Sequence, residues 1–125
     1  MIFCVGLQSV VYFIQVCIDI ARRPKLLKIP LPVLDRILPR VKRPGRYVGG
    51  ELNAVYKDWN QVKVRMVFAF PDVYEVGMSH LGLRILYGLV NQREDWLMER
   101  VFAPWPDMEQ ELRGHGLPLF SLESR

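Results

Sequence analysis

Cysteine is scarce in this 125-residue chain: Cys4 and Cys17 are the only two, and both lie inside one apolar run. Two thiols make neither a disulfide framework nor a structural metal site. In that setting cysteine behaves as a small hydrophobe. No aromatic ladder and no Gly-rich RNA-binding signature accompany the basic residues, so no nucleic-acid partner is expected. The G-x-G-x-x-G dinucleotide fingerprint is missing, and so is a Lys-Ser/Thr pair after a glycine-rich loop. No basic stretch precedes the apolar start and no small-residue cleavage site follows it, which argues against a cleaved signal peptide.

What is present is globular in character, with 50% apolar and 24% charged residues. The length allows one domain at most, with a workable core. The net charge of +4 is unevenly spread. Arg22, Arg23, Lys25, Lys28, Arg36, Arg40, Lys42, Arg43 and Arg46 crowd into one stretch, opposed there only by Asp35. From Glu51 onward acids outnumber bases. Such a basic stretch suits an anionic surface or an acidic partner domain, or it is a solvated linker.

Three segments emerge. Residues 1–25 are an apolar start, in which Met1–Ile20 carries one charge, Asp19, before Arg22, Arg23 and Lys25. As a helix this run would reach about 30 Å, a bilayer's hydrocarbon thickness. The basic flank would then hold the following domain on the cytoplasmic side. The competing readings are a buried core element or an extension from an upstream start. A cytoplasmic domain is expected in all of these, membrane-anchored in the first.

Residues 26–61 form a Pro-rich basic lead-in. Pro30, Pro32, Pro39 and Pro44 limit any helix to a short one, with Leu31–Leu38 the best candidate. Two apolar or aromatic runs flank Gly49-Gly50, the pattern of a β-hairpin or of an extended arm on the next domain.

Residues 62–125 are regular. Lys63–Phe70 turns continuously apolar, as a strand buried on both faces does. A loop, Pro71–Gly82, leads to a helix ending at Asn91, in which Leu81, Ile85, Leu86 and Leu89 form the stripe expected to face a sheet. Trp96–Phe102 is a second strand, and Pro106-Asp107 opens a second helix with Met108 and Leu112 on one face. Leu117–Leu122 is a third strand. The order βαβαβ predicts an α/β fold, an incomplete doubly wound parallel sheet of the Rossmann or flavodoxin-like kind. Three strands would leave one sheet edge unpaired and apolar.

In such sheets ligands sit at the carboxyl ends of the strands. That makes Pro71–Gly82 and Ala103–Asp107 the candidate loops. Gly77-Met-Ser79-His80-Leu-Gly82 opens a helix, where N–H groups favour anions. His80 reads as a capping or packing residue ahead of an acid–base group. Asp72 and Glu75 read as helix caps, because two acids without a partner base make no mechanism. Trp105, between two prolines, reads as a pocket wall or a core cover.

The strings Leu38-Pro-Arg-Val-Lys-Arg-Pro-Gly-Arg-Tyr-Val-Gly-Gly-Glu51, Phe70-Pro-Asp-Val-Tyr-Glu-Val-Gly-Met-Ser-His-Leu-Gly-Leu83 and Glu99-Arg-Val-Phe-Ala-Pro-Trp-Pro-Asp-Met-Glu109 resemble the start of a family of radical SAM proteins with an N-terminal cobalamin-binding-like domain. The resemblance runs from about Leu34 to Arg125. It implies a partial cobalamin-binding-like domain here, partnered by the remainder of that domain and by a barrel. In that barrel a C-x-x-x-C-x-x-C motif would hold a [4Fe–4S] cluster with S-adenosylmethionine. Cys4 and Cys17 cannot supply such a cluster, so no catalytic or metal residue is expected in this chain. The cofactor-binding positions that the resemblance and the loops mark are Asp72, Tyr74, Gly77, Ser79, His80 and Trp105. Where His-ligating cobalamin domains carry Asp-x-His-x-x-Gly, this chain has Asp72-Val-Tyr74-Glu-Val-Gly77, and a phenol offers cobalt no neutral nitrogen. The expected role is a non-catalytic N-terminal piece of a radical SAM protein. The alternative is a stand-alone α/β ligand-binding or interaction module, soluble or tethered through Met1–Ile20.

Overall fold

The computed structural model describes Ile29 and residues 31–124. The expectations for the 1–25 segment, including Cys4, Cys17 and an anchor at Met1–Ile20, lie outside those residues. Among the described residues no helix is long and apolar enough to cross a membrane.

The lead-in begins with α1 (Leu31–Ile37), whose first turn accepts Pro32 because its N–H groups have no helical acceptor. A 3-10 turn (Leu38–Arg40) carries the chain past Pro39, and a second (Pro44–Tyr47) follows. The hairpin expected around Gly49-Gly50 is absent. Both glycines take positive φ (62° and 80°), as a tight turn requires. Their flanks, however, go to different partners: Tyr47 Oη accepts from Trp105 N (3.0 Å), and Val55 N donates to Tyr87 Oη (2.8 Å).

β1 (Val64–Phe70) and β2 (Trp96–Phe102) pair in parallel, with Val64 opposite Trp96 and Phe70 opposite Phe102. Between them the expected loop is largely helical: α2 (Tyr74–Ser79) and α3 (Leu81–Asn91) are separated only by an extended His80. α4 (Pro106–Gly114) follows β2, and its Met108 and Leu112 are fully buried, as their spacing predicts.

Side chains alternate across a strand, and both faces of this sheet are covered. One face carries Val67, Ala69 and Val101 under α1, Tyr47, α4 and the tail residues Leu117, Leu119 and Phe120. The other carries Phe68, Phe70 and Phe102 under α2 and α3, through Tyr74, Met78 and Leu83. The result is a three-layer α/β unit with a two-stranded parallel sheet. At Gly77 a Cβ would stand 2.1 Å from the Phe102 ring, so α2 lies this close to the sheet only because the side chain is missing.

Three expectations need correction. Leu117–Leu122 is not a strand: one backbone bond, Leu122 N to Arg100 O (2.9 Å), ties it to β2. The reason is that side chains already occupy that outer edge. Asn91 both donates to Met98 O and accepts from Met98 N (3.0 Å each). Glu123 accepts from Arg100 N (2.8 Å), and Lys57 Nζ donates to Trp96 O (2.7 Å). The predicted α3 stripe is also displaced. Leu83, Tyr87 and Asn91 are buried on the sheet, while Leu81, Ile85, Leu86 and Leu89 remain 47–67% exposed. Finally, β1 is not the fully buried strand that its composition predicts: none of its residues is buried, and among the described residues its outer edge is the unpaired one, since β2's outer edge is closed.

Asn91 holds two buried backbone groups that have no other side-chain partner among the described residues. Asn91→Leu, which keeps the volume and removes both bonds, is expected to destabilise the fold by about 2–6 kcal/mol, at about 1–3 kcal/mol for each of the two buried groups left unpaired. Urea denaturation, comparing midpoints at constant slope, measures it.

Candidate functional site

The carboxyl ends of β1 and β2 are where an open α/β sheet places its ligand, and here the chain's own lead-in covers them. Ala103 N donates to Asp72 O (2.9 Å), joining the two candidate loops. Across them lies the strap Arg43–Tyr47. Arg46 Nε donates to Glu75 Oε1 (2.8 Å), and Arg43 reaches the same oxygen at 3.2 Å. Arg46 also stacks on the Trp105 ring at 4.9 Å, and Tyr47 Oη takes the Trp105 N–H. Nearby, Lys42 N donates to Asp107 Oδ2 (2.8 Å) and Arg40 pairs with Glu111 (3.5 Å). The basic lead-in therefore meets an acidic surface within its own chain. The cavity left beneath the strap, lined by Arg46, Tyr47, Tyr74 and Phe102 among others, is about 20 Å³, little more than one water needs.

The residues singled out in the sequence are distributed along this region. Asp72 does not take the capping role expected of it: its Oδ1 accepts from Val73 N (2.7 Å), Val73 is itself the N-cap of α2, and no side chain caps that helix. Glu75, the other expected cap, stands in the first turn of α2 and is taken by the two arginines. Tyr74 meets the Phe102 ring edge-on at 5.7 Å. Burial and then the neighbouring Glu51 carboxylate push its phenol above the ordinary value. Neither its chemistry nor its setting fits an axial ligand to cobalt. Gly77 is the close-approach glycine against Phe102. Ser79 Oγ donates back to Val76 O (2.9 Å). His80 Nδ1 accepts from Leu83 N (3.3 Å) as the cap of α3, with its ring 5.2 Å from Phe70. Trp105 is engaged by the strap. Asp72, Tyr74, Gly77 and Trp105 are thus near one another around Phe102 and the strap, while Ser79 and His80 form the α2–α3 junction.

A second cluster was not singled out from the sequence. Arg100, only 3% exposed, lies in mid-strand. Its Nε donates to Glu123 Oε1 (2.7 Å), and its guanidinium stacks on Tyr87 at 4.2 Å. Glu51 Oε2 and Met78 Sδ are 3.5 and 3.4 Å away. Burial pushes the Glu123 carboxyl above its ordinary range, against the pull of Arg100. Burial also raises Tyr87 to about 12. Above this cluster, between the 51–55 segment and α3, an open groove of about 620 Å³ is walled by Leu52, Val55, Leu81 and Ile85, with Arg84 at its side. On the opposite sheet face, buried Glu99 accepts from Ser121 Oγ (2.6 Å) and from Ser124 Oγ. The signal for both clusters was a charged pair, Glu99-Arg100, inside an otherwise apolar strand. Among the described residues, no group of three or more His, Cys, Asp or Glu side chains is placed to hold a metal ion.

Residues 82–125, which span α3, β2, α4 and the tail, match the family model for radical SAM proteins, N-terminal. No curated protein and no solved structure matches the chain.

The strap has a pH signature. Burial alone would raise the Glu75 carboxyl, but hydrogen bonds from Arg46, the helix backbone and Arg43 outweigh it, and the net shift is downward from 4.5. A folded-state value below the unfolded one means that the contact is fully present above the ordinary carboxylate range and is lost as pH falls through the lowered value. NMR titration of the Glu75 side chain is expected to give a midpoint below 4.5, and Arg46→Gln is expected to move it upward.

Proposed function

We propose that this chain is an N-terminal structural platform of a radical SAM-type protein and has no catalysis of its own. The observation that carries the reading is the match of residues 82–125 to the N-terminal region of radical SAM proteins. That segment contains α3, β2, α4 and both members of the Arg100–Glu123 pair, so it is the part of the fold that neutralises its own buried charge. The chemistry of such a protein, a [4Fe–4S] cluster cleaving S-adenosylmethionine reductively, needs three closely spaced thiolates. Cys4 and Cys17 do not provide them. The partner is therefore the remainder of the same protein, which supplies the cluster-binding barrel. The domain is a cobalamin-binding-like α/β layer whose usual ligand-facing end is occupied by the Arg43–Tyr47 strap, and its surroundings are cytoplasmic.

The groove over Arg100 favours a second reading, a stand-alone ligand-binding or interaction module. Under the first reading, anaerobic reconstitution of the chain with iron and sulfide is expected to leave well below one cluster per chain, and the messenger RNA is expected to continue past codon 125 into a C-x-x-x-C-x-x-C segment. A stoichiometric cluster on this chain, or a stop codon directly after Arg125, would overturn the platform reading in favour of an independent protein.

A further inference from the structure

The two strands have exchanged the compositions that their positions call for. β1 reads VRMVFAF, continuously apolar from Met66 to Phe70, yet none of its residues is buried. β2 reads WLMERVF, with two charges at its centre, yet six of its seven residues are buried. Strands covered on both faces and flanked on both edges are the ones that read as unbroken apolar runs. Natural edge strands carry charges, prolines or bulges instead.

Among the described residues, the hydrogen bonding shows which edge is free. Met98 and Arg100 spend their N–H groups on Asn91 and Glu123, so they point away from β1. In a parallel ladder bonding alternates along each strand, which leaves Leu97, Glu99 and Val101 to bond β1. With Leu97 opposite Arg65 and Glu99 opposite Val67, the β1 residues turned inward are Val64, Met66, Phe68 and Phe70. Arg65, Val67 and Ala69 turn their N–H and C=O groups outward, and among the described residues no other backbone group bonds them. α3 extends the same pattern. Arg84 and Gly88 line the groove on the β2 side, so Leu86 and Leu89 lie on the opposite flank of α3, the flank towards β1, 47% and 57% exposed.

We infer that the outer edge of β1 is the docking edge for one further strand, apolar on both faces and parallel to β1, supplied by the remainder of the larger protein. Naming that source rests on the platform reading above; the edge and its polarity rest on the hydrogen-bond parity. The new strand is parallel because β1 is sheathed by helical layers on both faces, the setting in which crossovers build all-parallel sheets. It gains two apolar surfaces at once, Val67 and Ala69 on one side and Phe68 with Leu86 on the other. It lies next to the established sheet, so β1 becomes the central strand that its composition describes. On the other side the sheet cannot grow, because Lys57, Asn91 and Glu123 occupy the positions of a neighbouring strand.

The probe is the full chain carrying a Val/Ile/Thr-rich heptapeptide after Arg125 on a Gly/Ser linker of about 20 residues, long enough for a parallel crossover. In the unmodified chain, amide exchange at Val67 and Ala69 is expected to be fast and at Met66 and Phe68 slow. The added strand is expected to slow Val67 and Ala69 by about tenfold or more. With Cys4 and Cys17 replaced by serine, a cysteine at the start of the heptapeptide is expected to form a disulfide with Arg65→Cys and not with Ala69→Cys. Val67→Pro, which removes an outward N–H, is expected to abolish the added protection and leave Met66 and Phe68 protected. Three results each overturn the inference: crosslinking to Ala69→Cys, no added protection, or protection that grows with concentration at dimer mass in the unmodified chain, which would make a second copy the occupant. None of these touches the cluster or transcript measurements, so the two proposals fail separately.

Discussion

A guanidinium in the middle of a buried strand is the constraint around which the rest of this molecule is arranged. An unpaired buried charge costs several kcal/mol even after relaxation, so Arg100 has to find its counter-charge inside the fold. It finds it in Glu123, which grips both the side chain and the backbone N–H. That double grip brings the tail back across β2 and places Leu122 beneath α3, in the cluster of Leu83 and Phe102. It also leaves no free backbone donor at Arg100 for another strand, and Leu122 N takes the Arg100 carbonyl. Tyr87 lies over the guanidinium face, which sets the rotation of α3 and brings Asn91 to Met98. One charge in the sequence thus decides the path of the tail, the facing of a helix and the side on which the sheet is closed.

Electrostatics of a weaker, wetter kind organise the opposite end. Surface ion pairs are individually worth little, but Arg40, Arg43 and Arg46 are joined by the Lys42 N–H, a Trp105 stack and the Tyr47 hydroxyl. Several modest contacts over one short segment fix the lead-in across the strand ends, where α/β proteins otherwise keep a cleft.

Much of this was legible in the sequence. The span Trp96–Phe102 and the helix opened by Pro106 were legible because the strand preferences of Trp96, Val101 and Phe102 and an N-terminal proline act locally. The packing of His80 followed from its place at a helix start. What was not legible depended on partners distant in sequence. The pattern at Leu81, Ile85, Leu86 and Leu89 is a true helical stripe, but Leu83, Tyr87 and Asn91 won the sheet because Arg100 and Met98 needed an aromatic face and an amide. Leu117–Leu122 has strand composition, yet side chains from residues 57, 91 and 123 hold the edge it would have used. The charge asymmetry was visible, but its answer in Glu75, Asp107 and Glu111 required the fold. The apolar run of β1 predicts a strand buried on both faces, whereas among the described residues it pairs on one edge only and none of its residues is buried.

Lys57 carries one last consequence. Its ammonium donates to the carbonyls of Asn91, Arg93 and Trp96 at 2.6–2.9 Å, three acceptors arranged around three donors. A tryptic protease reads a lysine by drawing that ammonium into its own acidic pocket. At Lys57 it competes with a shell already filled, so cleavage there must wait for the segment around Lys57 to lift from the connection between α3 and β2. Scission after this residue therefore clocks the release of that segment from the end of α3.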